Sequence, residues 1–61
     1  MFEFKMKQRV NTPLSGINGG TVVGQAVLGD DALYMVEEED HMSQIVKVWW
    51  PQHQVSEHLP F

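Results

Sequence analysis

Residues 21–37, TVVGQAVLGDDALYMVE, decide the fold of this chain. Two runs rich in β-branched and aromatic residues, 21–28 and 32–37, stand on either side of a short Gly-Asp-Asp segment. Strand-forming runs separated by such a turn predict a β-hairpin. Gly24 interrupts the first run, which predicts a bulge or a sharp bend where another strand approaches closely.

The strand signal that follows the hairpin carries two adjacent tryptophans. Residues 44–50, QIVKVWW, end at a proline, which cannot donate to a central ladder. Because neighbouring strand residues face opposite sides, Trp49 and Trp50 cannot both enter one core. Trp50 shares its side with Val46 and Val48, so we predict that Trp50 is buried and that Trp49 is exposed.

The first ten residues, MFEFKMKQRV, alternate between apolar and polar side chains. Phe2, Phe4 and Met6 fall on one side of such a strand and the basic residues fall on the other. The pattern predicts a half-buried strand over residues 2–10. An alternating segment lacks the apolar run of a secretory leader, so no leader is predicted.

Residues 11–20, NTPLSGINGG, have the composition of a loop. Leu14 and Ile17 are its only large apolar residues, and we expect them to pin the loop over one end of the core. Taken together, short strands spaced about ten residues apart and joined by Gly-rich turns predict a small antiparallel barrel.

Length and charge narrow the range of functions. The 61 residues predict a single domain, 1–61, with a thin core, since a chain of this size buries only about 60% of its unfolded surface. The chain has no cysteine, which removes disulfides and thiolate metal sites. Four basic and eight acidic residues give a net charge of −4, which disfavours a generic phosphate-backbone binder. With no run of 18 apolar residues, no membrane span is predicted, and we expect a cytoplasmic protein.

The segment 50–55, WPQHQV, resembles the close of an SH3-type barrel, in which a strand ends at proline, one 3₁₀ turn follows and a valine opens the last strand. Residues 21–58 are similar to that family in the order of their elements, and freestanding barrels of this size are common among phage and mobile-element proteins. The resemblance implies a five-stranded antiparallel SH3-like barrel with a single 3₁₀ turn before the last strand. It does not imply proline-peptide binding, because FEF at 2–4 and Gln54 stand where those domains carry groove aromatics.

An exposed indole suggests a contact with a partner, because tryptophan leads the residues that anchor interfaces. The alternative is that the loop 11–20 or the C-terminal residues 59–61 cover it. Tyr34 lies in a strand that is apolar on both faces, which predicts either a central strand or a face covered by a partner, including a second copy. We therefore expect a non-enzymatic module that binds a protein or itself. Its predicted contacts are the apolar anchors Trp49 and Tyr34 and the acidic residues Glu37, Glu38, Glu39 and Asp40. Solvated turn residues remain the simpler interpretation of that acidic run.

Two alternatives involve nucleic acid. Basic residues on the wet side of the first strand suggest a surface that tracks a phosphate backbone, with an indole as a stacking platform. That surface would comprise Lys5, Lys7, Arg9, Lys47 and Trp49. Lysines also protect sheet edges, which is the simpler explanation of the same residues. The acidic run, conversely, suggests a mimic of nucleic acid that occupies a basic partner.

No catalytic residue, metal ligand or cofactor is predicted. The chain lacks a nucleophile elbow and a phosphate-cradling loop that leads into a helix. The spacing of His41, His53 and His58 matches no compact zinc motif, and the EEED run matches no EF-hand.

Overall fold

A computed structural model of the chain describes residues 2–58, in which the regular elements are five strands and two 3₁₀ turns. The strands are β1 Arg9–Asn11, β2 Gly20–Leu28, β3 Asp31–Glu39, β4 Ile45–Pro51 and β5 Ser56–Glu57. One 3₁₀ turn, Gly16–Asn18, lies between β1 and β2, and the other, Gln52–Gln54, lies between β4 and β5.

The five strands form one antiparallel sheet in the order β4-β3-β2-β1-β5. Among the described residues, Val10, Val22, Tyr34, Val36 and Val55 form one core cluster. Trp50 of β4 packs against this cluster, and Val55 joins it from just before β5, so both ends of the strand order meet at the core. A sheet whose distant strands share one core must curl, and curling is what a small barrel requires. The predicted all-β, five-stranded antiparallel class is confirmed, and β3 occupies an interior position, as its two apolar faces predicted.

The hairpin predicted from residues 21–37 is formed by β2 and β3, which have nine residues each. Gly29 turns the chain with a φ of +63°, a left-handed conformation that glycine adopts without steric cost. The pairing register shifts between Val22 and Gly24, which confirms the bulge predicted there. The bulge strengthens the local twist and so assists the curl of the sheet.

The predicted order of strand, proline, 3₁₀ turn and last short strand is also found. β4 ends at Pro51, the 3₁₀ turn Gln52–Gln54 follows, and Val55 is buried before the two-residue strand β5. β5 pairs with β1, which brings the last strand to the far side of the sheet from β4. The 3₁₀ turn between β1 and β2 is an element that sequence analysis did not identify.

The predicted strand over residues 2–10 is wrong for residues 2–8, which run as bends and a turn. Lys7 has a φ of +70°, which no strand residue adopts. Two hydrogen bonds still tie this region to β2, from the N–H of Lys7 to the carbonyl of Val22 and from the N–H of Val22 to the carbonyl of Gln8. The chain therefore enters the sheet only near Arg9.

Tyr34 explains why the first residues leave the sheet. Its buried hydroxyl accepts the N–H of Glu3 at 2.8 Å and the N–H of Phe4 at 3.2 Å, and it donates to the side chain of Gln52. The rings of Phe2 and Phe4 pack edge-on against the Tyr34 ring, with centroids 5.8 Å and 5.4 Å away. These contacts replace the ladder that the alternating pattern predicted.

The loop 11–20 is held by polar side chains rather than by apolar ones. Ile17 is 87% exposed and does not pin the loop, so that prediction is wrong, whereas Leu14 is half-buried. Thr12 and Ser15 are buried instead, and each backbone N–H donates to the hydroxyl of the other at 3.1 Å. Paired hydroxyl-to-backbone bonds of this kind stabilise a tight turn locally.

Replacing Tyr34 with phenylalanine keeps the ring and removes the hydroxyl. We expect Tyr34→Phe to lower the free energy of unfolding by about 1–3 kcal/mol, because the Phe4 N–H loses its acceptor, Gln52 loses a donor, and the Glu3 N–H keeps only Gln52 Oε1. Urea denaturation measures the change, with the exposed substitution Met42→Leu as the control. A stability equal to that of the control would contradict this account of the N-terminal segment.

Candidate functional site

The two adjacent tryptophans face opposite sides of β4, as predicted. Trp49 is 46% exposed, whereas Trp50 is half-buried and packs against the core. The same alternation runs through the strand, because Val46 and Val48 are half-buried while Ile45 and Lys47 are exposed. The exposed indole therefore lies on the outer surface of the barrel, and residues 59–61, which were an alternative cover for it, lie outside the described residues.

Trp50 is fixed on the inner side by a buried carboxylate. Its indole N–H donates to Glu38 Oε2 at 2.7 Å, and the hydroxyl of Thr12 donates to Glu38 Oε1. Glu38 is only 2% exposed, so its predicted place in an exposed acidic surface is wrong. The reason is strand alternation, since Glu38 shares the inward face of β3 with Val36, and a buried carboxylate requires hydrogen-bond donors.

Tyr34 is likewise wrong as a predicted partner contact. Its side chain is fully buried, and its hydroxyl is engaged by the N-terminal segment and by Gln52. The residue is a core member on the inward face of β3, directly opposite Trp50. Its role is to hold the fold, and it presents no surface to a partner.

The outward side of β2, β3 and β4 carries an apolar surface around Trp49. Residues directly opposite each other in neighbouring strands share a face. One cross-strand row is Trp49, Met35 and Gly24, and the next is Pro51, Leu33 and Ala26. We call this surface, comprising Gly24, Ala26, Leu33, Met35, Trp49 and Pro51, the outer patch.

The ring of Trp49 lies along the outer patch. A Cβ atom placed on Gly24 would lie 3.5 Å from Trp49 Cη2 and 3.1 Å from Met35 Cβ. β2 is two strands away from β4, about 9–10 Å, so the indole reaches Gly24 only by extending across Met35. One face of the ring therefore packs on the sheet, and the other is available to a partner.

Sequence reasoning identified Trp49 but missed the rest of the outer patch. The signal was present, because Leu33 and Met35 make the second face of β3 apolar and that face was noted beside Tyr34. Gly24 predicts a bulge or a sharp bend where another strand approaches closely, but it does not predict a contact with Trp49. Its proximity to Trp49 depends on the β2–β3–β4 register, which the sequence does not specify.

A polar row borders the outer patch. The register places Lys47 opposite Glu37, Glu37 opposite Thr21, and Thr21 opposite Arg9. The Arg9 guanidinium donates to Thr21 Oγ1 at 3.1 Å and to the carbonyl of Asn18 at 2.8 Å. Glu37 thus lies between the cations Lys47 and Arg9 on this row. Opposite charges on neighbouring strands stabilise the pairing of those strands.

The predicted basic surface is divided in the fold. Lys5 and Lys7 belong to the irregular segment before β1, so they do not continue the strand face of Arg9. Arg9 and Lys47 are separated by Glu37 and by two intervening strands. The stripe of Lys5, Lys7 and Arg9 that alternation predicted is therefore not formed, and Lys47 lies apart from Arg9.

Two of the four predicted acidic residues lie at the β3–β4 turn. Glu39 is exposed, whereas Asp40 organises the turn by accepting the N–H of Gln44 at 3.0 Å and the N–H of Met42 at 2.8 Å. The hydrogen bond from Gln44 is the main reason why the pKa of Asp40 lies below its ordinary value. Glu37 is also exposed, which leaves Glu37, Glu39 and Asp40 at or near the surface.

The other candidate ligands are dispersed. Within residues 2–58, no group of three His, Asp or Glu side chains is close enough to hold a metal ion. His58 is half-buried, with Nδ1 2.8 Å from Asn11 Oδ1. No helix in the described part of the chain has the length and apolar character needed to cross a membrane.

The Glu38 carboxylate provides a stability test with its neighbour as the control. We expect Glu38→Gln to lower the free energy of unfolding by about 1–3 kcal/mol, because an amide must turn a donor toward either Thr12 or Trp50. The exposed substitution Glu37→Gln should change it by less than about 0.5 kcal/mol. Urea denaturation, with the NMR shift of the Trp50 indole N–H as a local probe, measures both. Equal changes in the free energy of unfolding for the two variants would show that the buried hydrogen bonds of Glu38 contribute nothing to stability.

Comparison with protein-family models, with characterised proteins and with solved structures finds no match. Function must therefore be argued from the geometry of this chain alone. That geometry consists of an outward apolar patch centred on Trp49, a polar row beside it containing Glu37, and an edge strand that supplies the indole.

Proposed function

We propose that this chain is a non-enzymatic interaction module that binds a protein partner, or a second copy of itself, through the outer patch. The observation that carries the proposal is the position of Trp49, a half-exposed indole extended over Met35 toward Gly24. Single exposed apolar residues are ordinary, but a contiguous patch marks an interaction surface. Tryptophan is also among the residues that most often dominate binding energy.

The surroundings of the outer patch support the same function. Interfaces combine an apolar centre with a polar rim, and the row containing Arg9, Glu37 and Lys47 supplies such a rim on one side. Rim charges orient a partner and raise its rate of association more than they raise affinity. With a net charge of −4, and with Glu39 and Asp40 near the rim, the chain favours a basic partner.

The proposal extends to the family and the location of the protein. A small SH3-like barrel of the phage or mobile-element kind, acting in the cytoplasm, is consistent with the size of this fold. Support for the family comes from the order of elements, in which a long hairpin and a second hairpin precede the proline, the 3₁₀ turn and the last strand.

Substituting the exposed indole tests the proposed surface. We expect Trp49→Ala to weaken association about tenfold or more, because truncating an interface anchor removes its buried apolar area. Ile17→Ala is the matched control, since Ile17 is a highly exposed apolar residue on a loop outside the outer patch. Association is measured by sedimentation and by affinity capture, with the unchanged chain and each variant used in turn as bait. Thermal melts verify that both variants remain folded.

Two results would contradict this function. One is a Trp49→Ala variant whose mass and captured partner equal those of the unchanged chain. The other is binding to DNA that falls steeply with salt and depends on Lys5, Lys7, Arg9 and Lys47, as the nucleic-acid alternative predicts. Capture of a protein that itself binds DNA or RNA would instead support the acidic-mimic alternative.

A further inference from the structure

β4 lies at an edge of the sheet. Among the described residues it pairs only with β3, so its other side presents unpaired backbone N–H and C=O groups. The strand is seven residues long, and Lys47 is its only charged member. An edge lysine by itself discourages pairing, but Glu37 lies directly opposite Lys47 and offsets its charge. This edge is therefore suited to accept another strand.

We infer that the partner strand is β4 of a second copy, paired antiparallel about a two-fold axis at Val48. This inference rests on the proposed function and identifies the partner and its geometry. Centring the pair on Val48 aligns all of Ile45–Pro51 with its symmetry mate, which is the longest ladder the strand allows. Centring it on Lys47 would oppose two like charges and shorten the ladder, which is unfavourable on both counts.

The Val48-centred register forms favourable side-chain pairs on both faces of the sheet. On the outer face, Lys47 lies opposite the partner's Trp49, and Trp49 lies opposite the partner's Lys47. Each pair places a lysine next to the residue that bears the exposed indole, so the lysine side chain can reach over the open face of the ring and form a cation–π contact. On the inner face, Val46 meets the partner's Trp50 and Val48 meets its own mate, so half-buried apolar side chains continue across the junction.

The net charge of −4 favours a basic partner in general, but the residues next to this edge are complementary between two copies of the chain. Across the junction, the outer row would read Gly24, Met35 and Trp49, then Lys47 and Glu37 of the other copy. The apolar row of one chain thus meets the charged row of the other, and the symmetry forms this contact twice. The pairing would also cover one side of Trp49 without changing the monomer fold.

Engineered disulfides test this register, because the chain contains no cysteine. Directly opposed residues of an antiparallel pair have Cα atoms about 4.5–5.5 Å apart, within the range of a disulfide. We therefore expect Val48→Cys to form a cross-linked dimer under mild oxidation. Ile45→Cys is the control, since residue 45 would lie about 20 Å from its mate while being more exposed. Equal cross-linking of the two variants would overturn the register.

Sedimentation of the unchanged chain from micromolar to millimolar concentration tests pairing itself. We expect the mass to rise from 7.0 kDa toward twice that value, and we expect Lys47→Glu to weaken the dimer about 5- to 30-fold through two lost cation–π contacts. A mass of one chain throughout would overturn the inference. Capture of a different protein that still depends on Trp49 would then preserve the proposed function, so the two failures are distinguishable.

Discussion

The fold depends on the buried carboxylate of Glu38. Its two oxygens accept hydrogen bonds from neutral donors on different elements, the hydroxyl of Thr12 in the β1–β2 loop and the indole N–H of Trp50 on β4. A buried acidic group is costly unless it is hydrogen-bonded, so the loop, β3 and β4 must meet in one arrangement. Because Trp50 is fixed inward, strand alternation directs Trp49 outward, and the outer patch is a consequence of this inner network.

A second polar anchor complements this one. The hydroxyl of Tyr34 accepts two backbone N–H groups of the N-terminal segment and donates to Gln52 in the second 3₁₀ turn. Within residues 2–58, six apolar residues are buried and five of them form one cluster, which is consistent with the limited burial available to so short a chain. Small domains usually need additional constraints beyond a core, and here two buried side-chain networks connect segments that are distant in sequence.

The outer surface is organised by strand register. The bulge between Val22 and Gly24 sets which β2 residues face outward beyond it, and it places Gly24 beside Met35. A Cβ atom at Gly24 would be in ordinary van der Waals contact with the Trp49 ring at 3.5 Å, so the ring lies close against the sheet at this position. Two adjacent apolar rows lie on this face with one charged row beside them, so the proposed surface has an apolar centre and a polar rim on one side.

The sequence by itself determined the all-β class, the long hairpin with its bulge, the proline-ended strand and the opposite orientations of Trp49 and Trp50. Each of these follows from local turn chemistry or from the two-residue period of a strand. Tertiary structure decided the N-terminal segment and the burial of Glu38, since both depend on hydrogen bonds to residues far along the chain. It also assembled the outer patch and divided the basic residues, because strand register, which local pattern does not encode, determines which side chains become neighbours.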